Sequence, residues 1–434
     1  MDKMVPRMAE PAPGFPVNRD RPMTIVFVID ALGNEGNGTS NSAIQFAQGL
    51  RGLGHEVRLV GIGAGEYAAQ ETRIPVVSPV ADRQQMHFAK PDAALFRRAF
   101  SGASVVHLYL PFPFEMAARR VARSLRIPVS CAFHLQPENV LYSAGPLRYA
   151  PGAADGMYAL FRAKMYRWVR HVHVPTAMTA RLVRGHGYRN DLHVISNGYE
   201  PVFVPEPGCA SARMWRPGGR PFRVLASGRL AGEKDHVTLI HALGMCRHRD
   251  DVELTIAGGG PLERSLHREC ERWLAHPAHI GFHAHDDMPR LLRSADLFVH
   301  PSIADLEGVS VMEALACGLV PVIADSGLSA ARDFALDGRS LYPVRDASAL
   351  ARRIDWWIDH PQERARMSGE YARSVAESHS LAMSVKAFEA MERQAIADDA
   401  AWYAGAVLRG GIEACGDAAA ENRDTRHAHE DIRV

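Results

Sequence analysis

The chain has 434 residues, 47% of them hydrophobic and 23% charged, with a formal net charge of +1. That length exceeds one ordinary core and suits two domains plus tails. No run reaches the roughly 18 apolar residues of a membrane span, and the six scattered cysteines form no C-x-x-C pair, so neither a zinc site nor a disulfide framework is signalled.

The first 22 residues are rich in Pro, Met and charge and lack the apolar core of a signal peptide, which predicts a disordered leader. "TIVFVID" (24–30) then reads as a buried strand. A Gly/Asn loop, a helix carrying Ile44, Phe46, Ala47 and Leu50, and a second strand follow, making a βαβ unit and implying a parallel sheet. The same rhythm recurs at "SVVHLYL" (104–110), "PVSCAF" (128–133), "HVHVPT" (171–176) and "LHVISN" (192–197). Pro, Gly and Arg crowd residues 201–221, as in a linker. A second series starts at "FRVLASG" (222–228) and continues through "VELTIAGGG" (252–260), "HIGFH" (279–283), "DLFVHPS" (296–302) and "VPVIADS" (320–326).

The predicted organisation is α/β: two doubly wound, Rossmann-like domains facing a cleft. Residues 23–200 form the first, 201–221 the linker, 222–395 the second with its closing helices, and 396–434 a mobile tail. Charge divides unequally between the halves: residues 1–205 hold 23 Lys/Arg and 15 Asp/Glu, and residues 206–434 hold 27 and 34. A basic front and an acidic back suggest different partners, or merely unequal solvated surfaces.

Ligands of parallel sheets sit beyond the carboxyl ends of strands, and the chemistry-bearing residues fall there. In "SGRLAGEKD" (227–235), Arg229 and Lys234 lie five apart across a Gly-containing turn, so a guanidinium fork and an ammonium can converge on one diphosphate. "IAGGGPLE" (256–263) places Gly258, Gly259 and Gly260 at a strand end, where a ligand could approach the backbone. In "PSIADLEGVSVMEALACGLVP" (301–321), Gly308, Val309 and Ser310 open a predicted helix whose leading amides favour a phosphate. Carboxylates beside them, Asp305, Glu307 and Glu313, would orient the hydroxyls of an attached sugar or ribose. Separately, each motif has a plainer alternative: solvated surface cations, an ordinary turn and an acidic cap on a surface helix.

Together these elements resemble the retaining GT-B glycosyltransferases of glycosyltransferase family 4 over residues 23–395. "GRLAGEKD" is similar to the family's G-R-L-x-x-x-K-D element, "GGGPLE" to its nucleotide loop, and "ISNGYE" to its N-G element before the linker. "ADLFVHPS" and "EALACGLVPVIA" flank the place of its E-x7-E motif, with one departure. Glu313 takes the second acidic position, but Asp305 occupies the first, and Glu307 is the alternative at the wrong spacing. The resemblance implies a nucleotide-sugar donor in the second domain, expected to be a UDP-hexose, and an acceptor in the first. It implies that Gly38 of "GNEGNG" (33–38) lets the backbone approach the donor, and that His134 of "AFHLQPEN" lies by the transferred sugar. "AFHLQPEN" and "GLSAARDFALDGRSLY" (327–342) are similar to a subgroup acting on lipid-linked or diacylglycerol acceptors.

The stretch "GMYALFRAKMYRWVRH" (156–171) sets Met157, Leu160, Phe161, Met165 and Trp168 at helical spacing, with Arg162, Lys164, Arg167 and Arg170 as four cations. It reads either as a core-facing helix or as a helix lying on an anionic membrane. Expected, then, is a hexosyltransferase without metal or cofactor and without nucleic-acid partners, cytoplasmic and peripheral at the inner membrane face if its acceptor is lipid. The alternatives are transfer to a soluble saccharide or small metabolite, a non-catalytic nucleotide-sugar-binding subunit, and a sugar-nucleotide epimerase on the same fold.

Overall fold

The computed structural model describes residues 21–32, 38–73, 78, 87–143, 149–206, 215 and 219–408. Nearly all of the expected leader, Asn37 of the glycine-rich loop, and the chain beyond Leu408 lie outside the described residues. In chain order the strands are β1 (Thr24–Ala31), β2 (Glu56–Ile62), the short β3 (Glu71–Thr72) and β4 (Phe88–Ala89), β5 (Val105–Leu108), β6 (Val129–Ala132), β7 (His171–Val174) and β8 (Asp191–Val194). There follow β9 (Phe222–Ser227), β10 (Val252–Ala257), β11 (His279–Gly281), β12 (Leu297–His300), β13 (Ala304–Asp305), β14 (Pro321–Asp325), β15 (Leu328–Ser329) and β16 (Leu341–Pro343).

Two six-stranded sheets result, in the orders β2-β1-β5-β6-β7-β8 and β11-β10-β9-β12-β14-β16, and every neighbouring pair in both is parallel. The reason is visible in β1, where Ile25 to Ile29 are all buried, because helices cover both faces of a parallel sheet. Strand order reverses between β1 and β5 and between β9 and β12. Each reversal opens a crevice at the carboxyl edge, and the segments after β9 and β12 lie at the second of them.

Each sheet has its own apolar core. The final helix, Leu381–Leu408, departs from expectation. It runs well past residue 395 and packs on the first core rather than the second, contributing Val385, Phe388 and Met391 there. The Phe388 ring lies 4.9 Å from Phe46 and 4.8 Å from His107. Three acids of this helix face three histidines of the first half: Glu389 with His55 at 3.1 Å, Glu392 with His107 at 2.9 Å, and Asp398 with His171 at 3.2 Å. Within the expected linker, Trp215 is buried and packs edge-on against Phe222 of the second core.

Candidate functional site

The turn after β9 is stitched to the segment after β12. Ile303 N donates to Glu233 O at 2.7 Å, and Ser302 Oγ donates to the same oxygen at 3.3 Å. Lys234 Nζ donates to Asp305 Oδ2 at 2.5 Å, while Asp305 Oδ1 accepts from Gly308 N at 3.0 Å and Glu307 N at 3.3 Å. One carboxylate therefore spans the ammonium and the start of the helix Val309–Ala316. The amides of Val309 and Ser310 have no acceptor among the described residues. Arg229 pairs with Glu233, whose side chain is fully buried. His300 Nε2 lies 3.3 Å from Asp305 Oδ2. Burial alone would raise the Asp305 pKa, but the Lys234 ammonium and His300 outweigh it and hold the carboxyl well below the usual range.

Gly308 has φ 86°, and a Cβ on it would lie 2.8 Å from Ala331 Cβ, so this helix start needs glycine. The glycine run after β10 has a different cause from the expected one. A Cβ at Gly258 would lie 2.0 Å from Gly228 O, and one at Gly260 would lie 2.7 Å from Leu230 O, so those two glycines admit the neighbouring turn. Leu230 N donates to Gly259 O at 2.9 Å, and only Gly259 of the three faces open space. Gly38, first residue of the helix Gly38–Gly52, also faces open space.

The two remaining acids separate. Glu307 is turned away from Lys234 and sunk between the halves at 2% exposure. Its Oε1 accepts from Ser196 Oγ at 2.6 Å and Asn197 N at 2.9 Å, and its Oε2 accepts from Asn197 Nδ2 at 2.5 Å. Loss of water pushes its pKa up to about 7 against those bonds. This corrects its candidacy as a sugar-hydroxyl ligand, since its oxygens are occupied by the other half of the chain. Glu313, the fifth residue of its helix, is half-buried, and its carboxylate has no hydrogen bond among the described residues. Burial likewise pushes it up to about 7, with His285 and Glu200 as its charged neighbours.

From the first half, His134 lies just beyond β6, stacked on Tyr109 with ring centroids 5.7 Å apart and edge-on to His173 at 5.0 Å. Burial first and His107 second lower its pKa to about 3, so the imidazole is neutral. Its Nε2 has no hydrogen-bond partner among the described residues. Two residues on, Gln136 Nε2 crosses to the second half and donates to Leu328 O at 3.2 Å. Tyr142 reaches Gly232, where a Cβ would meet its ring at 3.5 Å. His134 thus lies two residues before a segment that crosses to the second half.

The basic stretch at 156–171 is not one amphipathic helix. The helix Ala153–Lys164 ends before Arg167, a single 3-10 turn spans Tyr166–Trp168, and Arg170 directly precedes β7. Phe161 and Met165 are buried as expected, but Leu160 is 52% exposed. Arg162 donates to His186 O at 2.8 Å, and Arg170 to Asp191 at 2.7 Å, so two of the four cations are committed within the chain. Arg167 lies over the Trp168 ring at 4.2 Å. Sequence reasoning missed Glu233, His300 and the Ser196–Asn197 grip. Glu233 stood beside Lys234 in the quoted motif, whereas nothing in the spacing linked residue 307 to residue 197.

Two facing Rossmann-like domains with paired cations, a glycine-started helix and a histidine at their junction define a GT-B transferase. The Glycosyltransferase Family 4 profile matches residues 36–203, and the Glycosyl transferases group 1 profile matches residues 214–375. The chain belongs to these glycosyltransferases and is a hexosyltransferase. It is 27% identical over 320 residues to a GDP-mannose-dependent alpha-mannosyltransferase of Corynebacterium glutamicum, covering 70% of this chain and 72% of that one. It is 24% identical over 263 residues to an alpha-monoglucosyldiacylglycerol synthase of Streptococcus pneumoniae, covering 55% and 57%. Among solved structures, sucrose-phosphate synthase from Thermosynechococcus elongatus aligns over 87% of this chain and 100% of its own, with TM-score 0.68 and 18% identity. Anabaena HepE in complex with UDP-glucose aligns over 87% and 99%, with TM-score 0.63 and 18% identity. Those two likenesses concern the fold.

Proposed function

We propose that this enzyme transfers a hexose from a nucleoside-diphosphate donor to an acceptor hydroxyl with retention of anomeric configuration. The observation that carries the reading is the single carboxylate of Asp305, which touches both Lys234 Nζ and Gly308 N. A diphosphate placed there would find an ammonium, the Arg229 guanidinium and two acceptor-free helix amides within one small volume. Such an arrangement stabilises the charge that grows as the sugar departs. Asp305 would then accept from a sugar hydroxyl, and Glu313 from the ribose. His134, held neutral, would offer its free Nε2 to the sugar.

In a front-face reaction the bond from the anomeric carbon to the diphosphate breaks, and the acceptor oxygen bonds the same face. The acceptor's proton passes to the departing phosphate oxygen. Closure of the halves excludes water and limits hydrolysis of the donor.

The donor is a UDP- or GDP-hexose, two classes favoured by the named relatives and neighbours. A lipid or lipid-linked acceptor is supported by the Streptococcus pneumoniae relative's name and by the exposure of Leu160 and Lys164 on the helix Ala153–Lys164 and of Tyr149 and Arg167 on either side of it. None of the helices among the described residues is long and apolar enough to cross a membrane, so contact would be at the surface. The test is release of nucleoside diphosphate from UDP-glucose and from GDP-mannose, with and without added lipid extract. Lipid-dependent release supports the acceptor class. Release that depends on a soluble saccharide instead replaces it, and release from neither donor overturns the donor reading.

A further inference from the structure

We propose that Glu307 is a positioning residue that clasps the donor loop to the first half of the chain, so the donor site is complete only while the two halves are closed. This rests on the donor-site reading above.

The loop Asp305–Gly308 faces two ways. On one side, Asp305 holds Lys234 and the Gly308 amide. On the other, the next two residues are bound by the opposite half. Leu306 O accepts from Thr176 Oγ1 at 3.0 Å and from Thr179 Oγ1 at 3.3 Å. The Leu306 side chain packs on the first core although its backbone belongs to the second sheet's loops. Glu307 takes both side-chain and backbone donors from Asn197 and the hydroxyl of Ser196.

Those partners sit at the crossing point of the two halves. Gly198, at φ 73°, lies against the returning chain so closely that a Cβ would stand 2.8 Å from Leu381 Cα. Tyr199 pairs with Ser380 as the chain comes back toward the first half. Glu307 therefore grips the hinge, while Leu306 is held across the gap. A buried carboxylate is tolerated where its oxygens are fully hydrogen-bonded, and it becomes costly when the partners leave. Opening the halves would free Glu307 into water and release the loop that carries Asp305 and the Gly308 amide. Donor binding and closure are thereby coupled through one short loop.

Glu307→Ala, Glu307→Gln and the pair Thr176→Val with Thr179→Val test the clasp in the full chain. Affinity is read with UDP and with GDP by calorimetry, and shape by small-angle scattering without ligand. For Glu307→Ala the expected results are a rise of roughly tenfold in nucleotide Kd, a larger radius of gyration, and a raised donor KM with smaller change in kcat. Glu307→Gln, which keeps the shape and one acceptor oxygen, should recover most of the affinity. The threonine pair should shift Kd in the same direction, and it substitutes if Glu307→Ala fails to fold. Unchanged radius of gyration and unchanged nucleotide Kd in Glu307→Ala would overturn the clasp, since a direct sugar ligand would affect only the sugar-bearing donor. If the wild type binds neither nucleotide, the donor reading fails, and the scattering comparison still decides the clasp.

Discussion

At the carboxyl edge of the second sheet the charged groups after β9 and β12 are matched one to one: Lys234 with Asp305 and Arg229 with Glu233. At the same edge of the first sheet, Tyr109 OH, His134 Nε2 and Asp30 Oδ2 are buried with no hydrogen-bond partner among the described residues, as His236 and His300 Nε2 are at the second, but no Lys or Arg among those residues stands beside them in an ion pair there. Both sheets are six-stranded and parallel although their strand orders differ, and the contrast lies in the side chains carried at their carboxyl edges. The paired edge keeps cations in place without a ligand, and on the proposed reading it would exchange a carboxylate for a diphosphate. The other edge is neutral at His134, and burial pushes even Asp30 up to about 6. A neutral, under-bonded surface suits hydroxyl groups better than anions.

The sharpest way to break this contrast is Lys234→Ala. Turnover should fall by about a hundredfold or more while the chain stays folded, and a folded variant with normal turnover would remove the anion assignment. His134→Asn should be milder, roughly tenfold in turnover. Because His134 stays neutral far below neutrality, the acid limb of the pH–rate profile should be the same in wild type and variant. A limb near pH 6.5 that vanishes in the variant would show a titrating imidazole instead.

The pH dependence of stability separates the two kinds of acid at the donor loop. Glu307 and Glu313 are raised from 4.5 to about 7. Below pH 4.5 both states are protonated; between there and about 7 the unfolded chain has ionised while the folded one has not. Stability from these groups is thus present at low pH and lost as pH rises through that window. Asp305, held low, acts oppositely: its contribution is present above its usual value of 3.8 and is lost on acidification. Melting temperatures from pH 5 to 8 should decline less steeply in Glu313→Gln than in wild type.

The smallest expected effect divides the glycine run. Gly258→Ala should destabilise by more than about 2 kcal/mol, because its methyl would meet a backbone oxygen. Gly259→Ala should leave the denaturation midpoint within about 0.5 kcal/mol and change only donor affinity. Equal losses at both positions would return the run to a purely structural turn.

Much of the architecture was legible because parallel strands buried on both faces leave continuous apolar runs such as that of β1, and because glycines punctuate their carboxyl ends. Arg229, Lys234 and Gly308 were legible for the same local reason: each lies within a few residues of a strand end. The fate of Glu307 was not, since its partner is 110 positions away and an acid two residues from Asp305 carries no sign of which way it points. The basic stretch at 156–171 misled in part. Helical spacing cannot reveal that the chain breaks after Lys164 or that Arg170 meets Asp191 across adjacent strands.

Residue order alone determined two parallel sheets and the kinds of groups at their edges, because strand periodicity, helix patterning and turn chemistry act over a few residues. The tertiary structure decided which half the final helix covers, which of three neighbouring carboxylates meets the ammonium, and which one binds the hinge. Those outcomes depend on contacts between distant segments, whose energies arise only when both are desolvated together.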